Sequence, residues 1–155
     1  MGNLFEGIIR LHSGFWRRIR NCYYQRVFRE CGSGLQVDSD TLITTPRQIS
    51  AGNQLTINKG AVLQGTEGGR ITIGNHVTLS YSAKVLTANL DLNERNHEYK
   101  DVVIGNNVWI CANAIVLPGV AIGNNVVVAA GAVVTTNLES GYLYAGIPAK
   151  RIKAL

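Results

Sequence analysis

Residues 103–134 read VIGNNVWICANAIVLPGVAIGNNVVVAAGAVV, and this stretch constrains the fold more than any other. Ile104, Ile110, Val116, Ile122, Val128 and Val134 recur every sixth residue. Four positions further on in each hexad stand Val108, Ala114, Val120, Val126 and Ala132, all small and apolar. Gly105-Asn106-Asn107 returns eighteen residues later as Gly123-Asn124-Asn125. Neither a helix nor an alternating strand has this period. It is the repeat of a parallel β-helix, an all-β solenoid. A short strand turns one aliphatic residue inward, a polar pair makes the corner, and the next strand begins a new face. Three faces close a triangle in eighteen residues, so Ile104 is expected to stack on Ile122. One coil cannot bury its own core, and so coils must stack.

A chain of 155 residues is one domain with an appendage. Its charged fraction of 16% is low for a globular surface, as stacked coils would allow. The net charge of +5 is uneven. Arg10, Arg17, Arg18, Arg20, Arg26 and Arg29 face only Glu6 and Glu30 in residues 1–32, and Lys150, Arg151 and Lys153 crowd the end of the chain. Such patches suit an anionic cofactor, an acidic lipid surface or nucleic acid. Nucleic acid has only the N-terminal arginines behind it and no recognisable module, so it is set aside. The three cysteines, Cys22, Cys31 and Cys111, are odd in number and form no CxxC. That argues for reduced thiols in a cytoplasmic protein, and against a disulfide frame or a zinc site. No apolar run reaches transmembrane length and no signal-peptide core opens the chain. MGNLFE starts like a myristoylation site, but Glu6 stands where Ser or Thr is needed.

Residues 1–34 are expected to be a helical segment and residues 35–155 the solenoid. Leu4, Ile8, Leu11, Phe15, Ile19, Cys22 and Val27 fall near a 3.6 period, with Gly14 a possible break. This amphipathic helix would cover the open end of the solenoid. Phe15-Trp16 beside Arg17-Arg18, and Tyr23-Tyr24 near Arg26, also fit peripheral contact with a membrane surface. The hexads start irregularly, with Leu55, Ala61 and Ile57, Leu63, break at 65–70, and resume with Ile73, Leu79 and Val85. Residues 88–101, ANLDLNERNHEYKD, break them again. So polar an interruption must leave the prism as an excursion, and such insertions collect on the functional face.

IGNNVWI (104–110), LPGVAIGNNVVVAAGAVVT (117–135) and AGIPAKRIK (145–153) resemble the hexapeptide-repeat acyltransferases, nearest the maltose and galactoside acetyltransferase-like O-acetyltransferases of sugars and bacterial surface polysaccharides. The resemblance covers roughly residues 35–153. It implies a left-handed β-helix, a homotrimer, and acetyl-CoA in the groove between neighbouring β-helices, with no metal. A hydratase using metal on this fold would need three His, and only His76 and His97 lie in the solenoid half.

Acetyl transfer from a thioester to a hydroxyl needs a base, an oxyanion donor and a surface for the coenzyme. In this family the base is a His, and the strand before the loop ends in Thr-Ala-x-His. Here it reads Thr87-Ala88-Asn89-Leu90, so Leu90 occupies the expected His position. His97, in the same excursion, is the candidate base, with Asp91, Glu94 or Glu98 near enough in sequence to orient it. Asp91 is also a candidate acceptor-binding residue. By resemblance Asn58 lines the acceptor site and Trp109 walls it. Ala112, Ala129 and Ala130 offer amides to the thioester and pantetheine. Thr135 and Thr136 stand where the family often has Thr-Lys, and Lys150 and Arg151 meet the coenzyme phosphates. His76 reads as a corner residue and His12 as part of the helix. The implied activity is O-acetylation of a sugar hydroxyl. N-acetylation of an amino-sugar and a catalytically silent β-helix scaffold are the alternatives.

Overall fold

The computed structural model describes residues 2–91, 94 and 96–155, with side chains from Gly14 onward. The side chains of Leu4, Ile8, Arg10, Leu11 and His12, and the excursion residues Leu92, Asn93 and Arg95, lie outside the described residues.

The hexads close into three faces of parallel strands. The first holds Glu30–Cys31, Ile49–Ala51, Ile71–Ile73, Val102–Ile104 and Ala121–Ile122. The second runs from Gln36–Val37 through Thr56–Ile57, Thr78–Leu79, Val108–Ile110 and Val126–Val128 to Tyr142–Ala145. The third holds Leu42–Thr44, Val62–Gln64, Lys84–Leu86, Ile115–Val116 and Val133–Val134. Ile104 pairs with Ile122, Ile110 with Val128 and Val116 with Val134, which is the eighteen-residue stacking the sequence dictates. All eleven inward hexad residues between Ile104 and Val134 are 3% exposed or less. Fully burying a Val, Leu or Ile contributes about 1.5–3 kcal/mol, so this column holds the coils in register.

The corner between the first and second faces shows how closely the coils approach. Asn53, Asn75, Asn106 and Asn124 form a ladder in which each Oδ1 accepts a backbone N–H from the coil before it, at 2.7–2.9 Å. Gly105 precedes Asn106 because a Cβ there would stand 2.7 Å from Asn124 Oδ1. His76 occupies the same corner with φ 55°, beside the equivalent Asn107 and Asn125 at 54° and 53°. That agrees with reading it as a corner residue.

The first strand, Glu30–Cys31, opens the solenoid five positions before residue 35, and Phe28 is already in its core. The helix α1, Gly2–Val27, runs unbroken through Gly14. It covers the end of the solenoid as expected, and the described stripe residues Phe15, Ile19 and Cys22 stay exposed. Asn21 Oδ1 accepts the Val37 N–H at 2.8 Å and Arg20 Nε donates to the Val37 carbonyl at 3.2 Å, while Tyr24 and Phe28 pack on the core. A strand at an open end presents unpaired backbone groups, and polar side chains satisfy them where apolar ones cannot. At the other end Lys150–Ala154 folds back antiparallel on Tyr142–Ala145 and covers that edge of the second face.

Gly105→Ala is expected to destabilise the protein by about 1–3 kcal/mol through overpacking at the ladder. Denaturant unfolding followed by circular dichroism measures this, and an unchanged midpoint would show that the corner has slack.

Candidate active site

The excursion leaves the prism at the corner between the third and first faces and folds into a hairpin. Its root is tied down. Buried Thr87 donates from Oγ1 to the Gln64 carbonyl at 2.6 Å, Lys100 N–H donates to the Thr87 carbonyl at 2.9 Å, and Asp101 Oδ1 accepts the Arg70 N–H at 2.8 Å. Ala88–Leu90 then pairs antiparallel with His97–Tyr99, in the register Ala88 to Tyr99, Asn89 to Glu98 and Leu90 to His97.

That register joins the two positions that sequence alone leaves seven residues apart. The bonds from Lys100 N–H to Thr87 and from Asp91 N–H to Asn96 mark the hydrogen-bonded pairs of the ladder. Leu90 and His97 are therefore a non-hydrogen-bonded pair, in which opposing Cβ atoms approach to about 4.5–5.5 Å. They share one side of the hairpin with Ala88 and Tyr99, and both are exposed.

The partner against His97 is a ring. His97 and Tyr99 stack with centroids 6.2 Å apart and planes 26° from parallel. Tyr99 is in turn seated on Gly68 of the preceding coil, where a Cβ would stand 2.8 Å from its ring. The carboxylates expected near His97 have other work. Glu98 projects from the opposite side of the hairpin and pairs with Lys100 at 2.9 Å. Asp91 Oδ1 accepts the Glu94 N–H at 3.1 Å and so shapes the hairpin turn, and Glu94 accepts from Asn96 at 3.2 Å. Tyr99 and Gly68 were not singled out in the sequence. The available signal was the alternation His97-Glu98-Tyr99, hidden because the stretch read as loop.

Most of the candidates fall on two edges of the prism. His97, Asp91, Thr135 and Thr136 lie along the edge between the third and first faces, with both threonines exposed. Asn58, Ala112, Ala129 and Ala130 lie along the edge between the second and third faces. From Ala130 to Thr135 is five residues, so the edges stand up to about 17 Å apart within one chain.

On the second of these edges, the Ala129 N–H is already taken by the Tyr144 carbonyl at 2.8 Å. Ala112 and Ala130 are the corner amides left to meet a ligand. Cys111 adjoins them, but burial raises its thiol above the ordinary cysteine value. It is therefore protonated at neutral pH and a poor nucleophile. Trp109 projects outward from the second face, and its Nε1 donates to Ser80 Oγ at 2.8 Å, which fixes a ring that is 55% exposed. Asn58 sits lower, in a cleft of about 30 Å³ with Arg17, Gln36, Asp38 and Thr56. A sugar ring does not fit that volume. Lys150 is exposed beside the same edge. Arg151 pairs with Glu139 at 3.2 Å and stacks over Tyr142 at 4.7 Å, so part of its charge is already engaged.

Residues 101–136 match the model of the bacterial transferase hexapeptide family, described as six repeats. A Dictyostelium discoideum protein named for an inferred acetyltransferase activity is 38% identical over 136 residues, 84% of this chain and 70% of that protein. A hexapeptide-repeat acetyltransferase of Vibrio cholerae, solved with acetyl coenzyme A, superposes with a TM-score of 0.83 at 30% identity, covering 89% of this chain and 77% of that one. A maltose O-acetyltransferase of Clostridium difficile superposes with a TM-score of 0.79 at 28% identity, covering 85% and 72%. Against several other curated relatives the chain spans only about half their length, from 42% to 56%.

Proposed function

The chain belongs to the hexapeptide-repeat transferases, left-handed parallel β-helix proteins, and we propose that it moves an acetyl group from acetyl-CoA to a sugar hydroxyl, on a bacterial surface polysaccharide or its precursor, in the cytoplasm and near the inner face of the membrane. The observation that carries this reading is the pairing of Leu90 with His97. A leucine cannot take a proton. The imidazole opposite it can, from nearly the position where the family's base is expected.

The chemistry needs few groups. His97 takes the acceptor hydroxyl proton as the oxygen attacks the thioester carbonyl. The tetrahedral oxyanion meets a corner amide, of Ala112 or Ala130. The C–S bond breaks, and the departing thiolate recovers the proton from the imidazolium. The protonated state of Cys111 fits direct transfer, with no acyl-enzyme on that thiol. Trp109 offers a fixed aromatic face to the acceptor, and Lys150, with the uncommitted part of Arg151, offers charge to the coenzyme phosphates.

The division of these groups between two edges supports a site shared by neighbouring copies. The hairpin of one chain then faces the Ala112–Ala130 edge of the next, and a head-to-tail interface of this kind closes as a ring, here a homotrimer. In this arrangement Asp91 serves the site through the hairpin turn, and Thr135 and Thr136 extend the same wall. Asn58 contributes to the floor of the groove rather than to a pocket of its own. An amino-sugar acceptor would need the base less, because a neutral amine attacks unaided. Strong dependence on His97 therefore favours the hydroxyl.

His97→Ala is expected to lower acceptor-dependent CoA release by about 10²–10⁴-fold. The exchange variant Leu90→His/His97→Leu is expected to recover a measurable part of the lost rate, because the two side chains face each other across the hairpin. CoA release over a panel of saccharide acceptors reads both, corrected for the protein's own thiols. Full activity in His97→Ala would remove His97 as the base.

A further inference from the structure

Helix α1 packs on the solenoid with the face that carries Arg20, Asn21 and Tyr24, and Phe28 just past its end enters the core. The opposite face, about half a helical turn away, carries Phe15, Ile19 and Cys22, with Trp16 and Tyr23 at its border. Phe15 is 59% exposed, Tyr23 54%, Trp16 49% and Ile19 45%. Arg18, Ile19, Cys22, Tyr23, Arg26 and Val27 line an open, almost wholly apolar groove of about 530 Å³. The solenoid cannot cover this face, because it holds the other side of the same helix.

Charge decides what can cover it. Residues 14–29 carry five arginines and no acidic residue. Arg20 is committed to the Val37 carbonyl, and Arg17 lines the cleft beside Asp38. Arg18 and Arg26 border the apolar groove itself. A second copy of this chain is a poor match. Its own helix is equally basic, and residues 33–155 hold nine basic against eight acidic side chains, with three of the acids already in ion pairs. An anionic lipid surface supplies both needs at once: hydrocarbon for the aromatic and aliphatic stripe, and headgroup charge for the flanking arginines. No helix among the described residues is long and apolar enough to cross a membrane, which fits lying on the surface.

We propose that this face of α1 docks the protein on an anionic bilayer, with Phe15, Ile19 and Tyr23 inserted among the lipids and Arg18 and Arg26 at the headgroups. The docking surface lies on a different element from the hairpin and from the Ala112–Ala130 edge. It therefore stands or falls separately from acetyl transfer.

The test is co-sedimentation of the full chain with phosphatidylcholine vesicles, with and without about 30% phosphatidylglycerol. Wild type is expected to partition at least tenfold more strongly to the anionic vesicles and to be released by salt. Phe15→Ser/Ile19→Ser/Tyr23→Ser and, separately, Arg18→Glu/Arg26→Glu are each expected to lower partitioning at least tenfold. Circular dichroism checks that each variant is folded; both arginines are exposed, and Arg26 gives up only its bonds to the exposed Cys22. CoA release toward a soluble acceptor is expected to stay at the wild-type rate in both, so loss of docking reads independently of loss of catalysis. Failure of wild type to bind anionic vesicles overturns the proposal. Binding that persists in the serine variant also overturns it, since only charge would then be at work. A lower native mass in the serine variant assigns the face to a contact between copies and overturns it as well.

Discussion

Every coil of this protein is held by the inward side chains of its neighbours, eighteen residues away where the hexads run unbroken. Ile104 stacks between Ile73 and Ile122, and Val116 between Val85 and Val134. Backbones stacked about 4.8 Å apart leave no room for an inserted residue inside a strand. Extra chain must exit at a corner and return to the same corner. The excursion obeys this rule. It leaves at Thr87, whose buried hydroxyl is held by Gln64, and comes back at Asp101, which accepts from Arg70. A segment rooted at two adjacent points has a hairpin as its simplest structure, and that structure sets Leu90 against His97.

The same constraint explains what could be read in advance. The hexads between Ile104 and Val134 identify inward residues one by one because each must fill the same place in a repeated triangle. The excursion carries no such repeat. That it leaves the prism is evident from ANLDLNERNHEYKD, but the hairpin register depends on where Thr87 and Asp101 are tied, and those ties are made to Gln64 and Arg70 on the preceding coil. Tyr99 stayed hidden for the same reason, since its seat is Gly68. The helix shows a second limit. Its apolar period is plain in the sequence, and the natural inference is that this stripe meets the core. The end of a solenoid needs hydrogen-bond partners for Val37 more than it needs grease, so Asn21 and Arg20 take that side and Phe15, Ile19 and Cys22 turn outward.

A rigid prism also fixes the economy of the site. Within one chain the hairpin edge and the Ala112–Ala130 edge are separated by a full face, up to about 17 Å. On the proposed reading, chemistry that needs groups from both recruits a second copy. The base is then carried on a segment free of the repeat, where substitution costs the core nothing. A His can migrate from one strand of such a hairpin to the facing position on the other without disturbing a single buried residue. On the proposed function, that is how Leu90 at the expected place and His97 as the base coexist.

In the proposed shared site the reacting groups meet across two copies, with His97 from one and the Ala112–Ala130 corner from the next. This sharing is tested most directly by mixing two inactive chains, His97→Ala and Ala130→Trp, after unfolding and joint refolding at equal amounts. If the site is shared around a trimer, statistical assembly restores CoA release to about a quarter of the wild-type rate. If each chain holds a complete site, the mixture stays as inactive as its parts.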